Sequence, residues 1–290
     1  MANIRFDGRS VIITGAGRGL GRAYALEIAG RGGKVVVNDL GAADDGSKAA
    51  AESVVDEIRA LGGEAVADFN SVSTPEGAAA LIATAVKAFG KVDVVINNAG
   101  ILRDASILKL TPETFGTVLD VHLLGSFYVS QAAFGLMKAQ GYGRLVFTTS
   151  AAGLYGNFGQ ANYSAAKLGI VGLANVLAVE GAKNNIKSNV IAPGAKTRMT
   201  SMFGDVMDKL APECVAPMVA YLASEQCEET HSIYSAAGSK YSRVFIAETP
   251  GWVSTGDTIP TAEEIAAKIG AIRDEKGYCV PRFMGDYPKM

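Results

Sequence analysis

Three residues in the second half of the chain have the types and spacing for proton chemistry at a substrate oxygen. Tyr163 and Lys167 stand at i and i+4 in Tyr163-Ser-Ala-Ala-Lys167, so a helix there puts both on one face. Ser150 precedes Tyr163 by 13 residues, just beyond a strand-like run, Arg144–Thr148. A tyrosine hydroxyl titrates near pH ~10 and is a poor base at neutral pH. A lysine ammonium close by favours the phenolate and lowers that value. A serine hydroxyl can hold a substrate oxygen while the tyrosine takes or returns its proton. The same tyrosine–lysine spacing also occurs on helices where it only packs, so the pair alone leaves both readings open.

A second set lies near the N-terminus. Thr14-Gly15-Ala16-Gly17-Arg18-Gly19-Leu20-Gly21 follows the strand-like Val11–Thr14 and opens a helix reaching about Ala29. Glycines here permit a tight turn and let the backbone approach a pyrophosphate. The helix N-terminus adds unpaired N–H groups and a partial positive charge. Asp39 closes the next strand, 18 residues beyond Gly21, where a carboxylate can accept both hydroxyls of an adenine ribose. A glycine turn can be purely structural and Asp39 a loop cap. The strand before, the helix after and the acid beyond favour a dinucleotide. A positively charged oxidised nicotinamide would join Lys167 in favouring the Tyr163 phenolate.

Positioning these residues takes alternating strands and helices. Lys34–Asn38 is a near-continuous apolar strand, as when both faces of a parallel sheet are covered. Ala49–Leu61 reads as a helix stopping at Gly62-Gly63, Ala65–Ala67 as a strand, and Pro75–Phe89 as a helix. A strand over Asp93–Ile96 precedes a helix that starts at Thr111-Pro112 and runs through His122 and Phe134. Helix Tyr163–Ala182, strand Ser188–Ile191, helix Pro212–Ala223 and a weak strand near Ser232–Ser235 follow Arg144–Thr148. The expected fold class is α/β: a single Rossmann-type, doubly wound parallel sheet with helices on both faces. It would occupy residues 1–245 as a dinucleotide-binding and catalytic domain. Residues 246–290 form a C-terminal extension with one helix, Ala262–Arg273, opened by a capping box at Thr261 and Glu264.

Composition narrows the function classes. With 49% hydrophobic residues in 290, intrinsic disorder is excluded. Lys plus Arg (27) against Asp plus Glu (29) gives a net charge of −2, so no basic face is expected to capture nucleic acid or anionic lipid. Cys214, Cys227 and Cys279 lack metal-ligand spacing and only His122 and His231 could assist, so neither a disulfide scaffold nor a metal site is expected. A strand-like run begins by Val11, which does not fit a signal peptide, and the apolar stretch Leu168–Val179 is short for a membrane span. A soluble, cytoplasmic protein is the expectation. The 34 glycines exceed the usual ~7% and cluster at strand–helix junctions.

The spacing of Thr14–Gly21, the turn Asn97-Asn98-Ala99-Gly100, the turn Pro193-Gly194, and Ser150 with Tyr163 and Lys167 together resemble the short-chain dehydrogenase/reductase family. The resemblance implies an NAD(P)-dependent oxidoreductase with Ser150, Tyr163 and Lys167 catalytic. It implies cofactor contacts from Gly15, Arg18, Gly19, Leu20 and Gly21, from Asp39, Asn70, Ser71, Asn98 and Gly100, and from Thr197, Tyr163 and Lys167. Asn98 would also hold the strand, and Thr197 would reach the nicotinamide carboxamide or a phosphate. Two residues depart from the family pattern. Asn70 stands where many relatives carry an aspartate against adenine, and an amide can make that hydrogen bond too. His122 stands where the family often has an asparagine that relays protons from the lysine through water. A lone helical histidine is more often a packing residue, so His122 stays outside the expected catalytic set.

Within the family, Val35–Gly41, Asn98–Asp104 and Tyr155–Lys167 resemble the (3R)-hydroxyacyl-CoA dehydrogenase unit of peroxisomal multifunctional enzyme type 2 and its single-domain bacterial relatives. The likeness covers roughly residues 5–240 and implies oxidation of a (3R)-3-hydroxyacyl-CoA in a homo-oligomer, dimer or tetramer. Met199, Phe203 and Met207 would line a substrate lid suited to an apolar chain, although a short helix packed on the core fits them equally. Lys196 and Arg198 would meet the CoA phosphates, or be solvated charges. No hydratase or sterol-carrier module is expected, and Pro288-Lys289-Met290 is not a peroxisomal address. Arg18 suits a 2′-phosphate, whereas a carboxylate about 4 Å from such a charge repels it by about 4 kcal/mol at an effective dielectric of about 20. NAD is therefore the expected cofactor. Three other readings remain: a hydroxysteroid dehydrogenase (17-beta type), a 3-oxoacyl carrier-protein reductase preferring NADPH, and a non-catalytic dinucleotide sensor.

Overall fold

The computed structural model describes residues 3–41, 49–195, 210–255 and 259–281. Thr197, Lys196, Arg198, Met199, Phe203 and Met207, named above for the cofactor and the lid, lie outside the described residues.

Runs of β-branched residues build the sheet. Its strands are β1 (Ser10–Thr14), β2 (Lys34–Asn38), β3 (Glu64–Asp68), β4 (Val94–Asn97), β5 (Gly143–Thr148), β6 (Ile186–Gly194), β7 (Ser232–Ala237) and β8 (Lys240–Val244). They lie in the order β3-β2-β1-β4-β5-β6-β7-β8, and the pairings from β3 to β7 are parallel. Ile13 sits opposite Val37 on one side and Ile96 on the other. Chain order reverses at β1, between β2 and β4, and a ligand crevice belongs beyond the carboxyl ends of strands at such a switch point. Ile13, Val36 and Val95 are fully buried, as required of strands covered on both faces.

The helices are α1 (Gly19–Gly30), α2 (Ala50–Ala60), α3 (Pro75–Phe89), α4 (Pro112–Leu119), α5 (Gly125–Gln140), α6 (Ala151–Tyr155), α7 (Ala161–Gly181), α8 (Ala216–Ala223) and α9 (Ala262–Ile272). Local signals set several ends. Thr74 caps α3, Pro75 opens it, and Gly90 closes it at φ 80°. Thr111 and Thr114 form a capping box at α4. The helix expected to run unbroken through His122 is instead divided by one turn of π-helix, Asp120–Leu124. Two elements exceed the sequence reading, the short α6 and the edge strand β8. The segment Ala161–Asn184, containing α7, is long and apolar enough to cross a membrane, which corrects the shorter span read from sequence. In this fold α7 packs on β6 and α6 and buries Asn162, Lys167, Ile170 and Ala174.

Met1–Arg243 forms one compact unit and Val244–Met290 a second. Inside the second, Thr261 and Glu264 cap α9 reciprocally, Glu248 and Cys279 form an antiparallel bridge, and Phe245 stacks on Tyr278 with centroids 5.9 Å apart.

Candidate active site

The turn after β1 is shaped by crowding. Gly15 has φ 61°, and a Cβ there would stand 2.7 Å from Ala99 Cα. A Cβ on Gly21 would collide with the Gly15 carbonyl oxygen. The β4 turn fastens to this backbone. Asn98 Nδ2 donates to the carbonyls of Thr14 (3.0 Å) and Gly15 (3.1 Å), while Thr14 Oγ1 accepts from the N–H groups of Asn98 and Ala99 (3.0 Å each). The first turn of α1 carries no acidic residue, so its N–H groups and dipole suit a phosphate.

The carboxylate of Asp39 is clamped at both oxygens. Oδ2 accepts from Gly17 N–H at 2.9 Å and Oδ1 from Gly41 N–H at 2.7 Å. Further along the wall, buried Asp68 accepts from Asn38 Nδ2 (2.7 Å), Thr84 Oγ1 (2.7 Å), and both the backbone N–H (3.0 Å) and Nδ2 (2.8 Å) of Asn70. A carboxylate only accepts, so one of the two Asn70 amide N–H groups is used there, and the other N–H and the side-chain carbonyl remain for a ligand.

The reacting end is built from β5, α6 and α7. Ser150 Oγ accepts from Ala152 N–H at 3.2 Å, capping α6. Tyr163 and Lys167 lie one turn apart on α7. Lys167 Nζ donates to the Thr148 carbonyl at 2.7 Å and lies 5.5 Å from the centre of the Tyr163 ring. A Cβ on Gly153 would sit 2.6 Å from Lys167 Cβ, which explains a glycine in so short a helix. Burial brings the Lys167 ammonium down to about 7. Burial raises the Tyr163 hydroxyl above its ordinary value; a hydrogen bond from Ser150 opposes this and the charge of Asp104 adds to it. The lowered tyrosine value expected from sequence is thus reversed in the protein alone, because desolvation outweighs the help from its neighbours.

His122 comes to the same place. Its Nε2 lies 2.8 Å from the Ile101 carbonyl oxygen and 3.0 Å from the Ile101 nitrogen. Its ring meets that of Tyr163 edge-on, centroids 5.2 Å apart at 89°. A Cβ on Gly100 would run into the imidazole. Burial, then the charge on Lys167, push the imidazole down to about 3 against the hydrogen bond at Ile101, so it stays neutral.

One cavity of about 450 Å³ joins the two ends. Gly15, Arg18, Gly19, Leu20 and Gly21 line it with Asp39, Asn70, Ser71, Asn98 and Gly100, and so do Ser150, Tyr163 and Lys167. Its wall also takes in Leu40, Val72, Ile101 and Thr148, which were not among the expected site residues, although Leu40 and Ile101 lie in segments that carried the family resemblance. The glycine cradle and the clamped acid fit a dinucleotide at one end, and the hydroxyl–lysine pair fits proton transfer at the other. Among the described residues, no group of three or more His, Cys, Asp or Glu side chains is placed to hold a metal ion.

A family model described as short chain dehydrogenase matches residues 9–210. The chain belongs to the short-chain dehydrogenase family. It is 49% identical over 280 residues to a short-chain type dehydrogenase/reductase of Mycobacterium tuberculosis, covering 95% of this chain and 97% of that one. It is 56% identical over 241 residues to the peroxisomal multifunctional enzyme type 2 of Drosophila melanogaster, covering 81% of this chain and 40% of the relative. The chain therefore spans well under half the length of that larger protein. The crystal structure of a short chain dehydrogenase from Mycobacterium avium superposes with a TM-score of 0.83 at 42% identity, over 93% of this chain and 98% of that one. This chain is accordingly an oxidoreductase, of a family that uses NAD(P), and resembles the dehydrogenase unit of multifunctional enzyme type 2.

Proposed function

We propose that this dehydrogenase oxidises a (3R)-3-hydroxyacyl-CoA to the 3-oxoacyl-CoA, with Tyr163 as acid/base and NAD as cofactor. The observation that carries the reading is the meeting of Ser150, Tyr163 and Lys167 with the glycine cradle in one cleft. When bound there, the oxidised nicotinamide supplies the hydride acceptor and a positive charge. Ser150 holds the substrate oxygen, and Tyr163 takes the hydroxyl proton as the C–H bond gives up its hydride. Lys167, anchored on Thr148, favours the phenolate and holds the cofactor's ribose. The substrate class rests on the likeness to multifunctional enzyme type 2. Two fixed contacts at the carbinol oxygen and a fixed hydride direction define the hand of the carbon, which supports selectivity for one enantiomer. NAD is favoured because Asp39, clamped by Gly17 and Gly41, holds its charge where a 2′-phosphate would lie.

A homo-oligomer belongs to the same reading. Leu124 and Phe127, where α5 begins, and Leu168, Val176 and Val179 on α7 are exposed apolar side chains that a second copy would cover.

The test is turnover of (3R)- and (3S)-3-hydroxyacyl-CoA and a free 17-hydroxysteroid with NAD and NADP, alongside Tyr163→Phe. The expected result is preference for the 3R thioester and NAD. Tyr163→Phe should lose at least ~10²-fold in kcat while still binding NADH by calorimetry. A higher kcat/KM for the steroid or the 3S thioester overturns the substrate, tenfold preference for NADP overturns the cofactor, and near-normal Tyr163→Phe activity overturns the base.

A further inference from the structure

The loop after β4 is lashed to the first turn of α7. Ala105 N–H donates to the Gly159 carbonyl at 2.9 Å, and Gln160, the residue capping α7, donates from Nε2 to Asp104 Oδ2 at 2.8 Å. Asn157 Nδ2 holds the other end of the Gln160 amide at 2.9 Å. Asn162, fully buried, donates to the Arg103 carbonyl at 2.9 Å and accepts from Tyr163 N–H at 2.8 Å. Each buried amide must be paired to avoid a desolvation cost, and here the pairing holds the loop to the start of α7.

We propose that Asp104 is a positioning residue for Tyr163: fastened through Gln160 to the N-cap of α7, it fixes where the hydroxyl stands and adds a negative charge to its surroundings. This rests on the reading of Tyr163 as the acid/base. A carboxylate near a phenol disfavours the phenolate; burial is the larger cause of the raised Tyr163 value, and the charge of Asp104 adds to it. The other groups facing Tyr163 are Ser150 from the α6 cap, Lys167 from α7 and the neutral imidazole of His122 from the π-turn. Arg103, beside Asp104, donates from Nη1 to the Leu102 carbonyl at 2.8 Å and keeps its positive charge, which offsets part of that of Asp104. Asp104 therefore opposes Lys167 and keeps a proton on the hydroxyl, which favours the reductive direction at a given pH.

The experiment is Asp104→Asn, whose side-chain oxygen still accepts from Gln160. Kinetics run in both directions across pH, and the tyrosinate absorbance of the protein is titrated against a Tyr163→Phe reference. The Tyr163 midpoint should move to lower pH. On its acid side oxidation becomes faster than in the wild type, and on its alkaline side reduction becomes slower. Because Asp104 is exposed, the displacement should shrink as salt is added. An unmoved midpoint, or a loss equal in both directions, overturns the electrostatic part. Gln160→Met cuts the tether and keeps the charge; it should lower kcat without weakening NADH binding, and an unchanged kcat overturns the positioning part. If no hydroxyacyl-CoA turns over, the proposed substrate fails, while the tyrosinate titration still decides the role of Asp104.

Discussion

In the unit ending at Arg243, α1, α2 and α8 each bury a face against the sheet or one another, whereas α9, in the unit beginning at Val244, buries no residue. Ile13 in β1 is fully buried; Ile265 and Ile269 in α9 are 41% and 48% exposed. One unit is held by packing, so its loops can place atoms to fractions of an ångström, as acid/base chemistry requires. Among its described residues the other shows a capping box, the Glu248–Cys279 bridge, a Thr249–Ile272 hydrogen bond and the Phe245–Tyr278 stack in place of a buried core. The comparison teaches where a substitution should be felt globally and where only nearby.

The sharpest way to break the contrast is a matched pair of truncations. Ile13→Ala should cost about 2–5 kcal/mol of global stability in chemical denaturation, whereas Ile265→Ala should stay within about 0.5 kcal/mol. Equal losses would mean that α9 shares the core's cooperativity. A smaller effect comes from the cap. Thr261→Ala removes the acceptor for Glu264 N–H and should cost α9 about 1 kcal/mol, seen as faster amide exchange within Ala262–Ile272 and little change elsewhere.

The smallest effect sharpens the contrast through pH. Native His122 is held near 3, while the unfolded imidazole titrates near 6.5. Between those values the unfolded chain binds more protons, so stability falls as pH falls through that window. From pH 7 to pH 6 the wild type should lose about 0.5–1 kcal/mol more than His122→Asn. Both histidines of the chain lie before Val244, so exchange in α9 should not follow that change. Parallel losses in wild type and His122→Asn would show that His122 is not held neutral.

Much of the sheet was legible because β-branched runs such as Lys34–Asn38 and stops such as Gly90 act locally. The cradle was legible because its glycines are spaced along one turn: Gly21 answers to the Gly15 carbonyl six residues away, although Gly15 itself answers to Ala99 across the sheet. Strand β8 was not, since Lys240, Tyr241, Ser242 and Arg243 are exposed and carry no alternation. The Asp104–Gln160 contact joins residues 56 apart in sequence, and no spacing rule links them. The direction of the Tyr163 shift was also hidden, because neighbours can be guessed from motifs and burial cannot. Met199, Phe203 and Met207 fall outside the described residues.

The π-turn at Asp120–Leu124 has a consequence for how the whole α4–α5 rod is phased. One surplus residue in a helix rotates everything downstream by about 100° relative to everything upstream. The turn itself aims His122 at Ile101 and Tyr163, while the downstream half turns Val129, Ala133 and Met137 inward. Without the surplus residue, a rod that served the cleft would present those three side chains to the wrong neighbours. The turn works as a clutch between two alignments that a straight helix could not satisfy together.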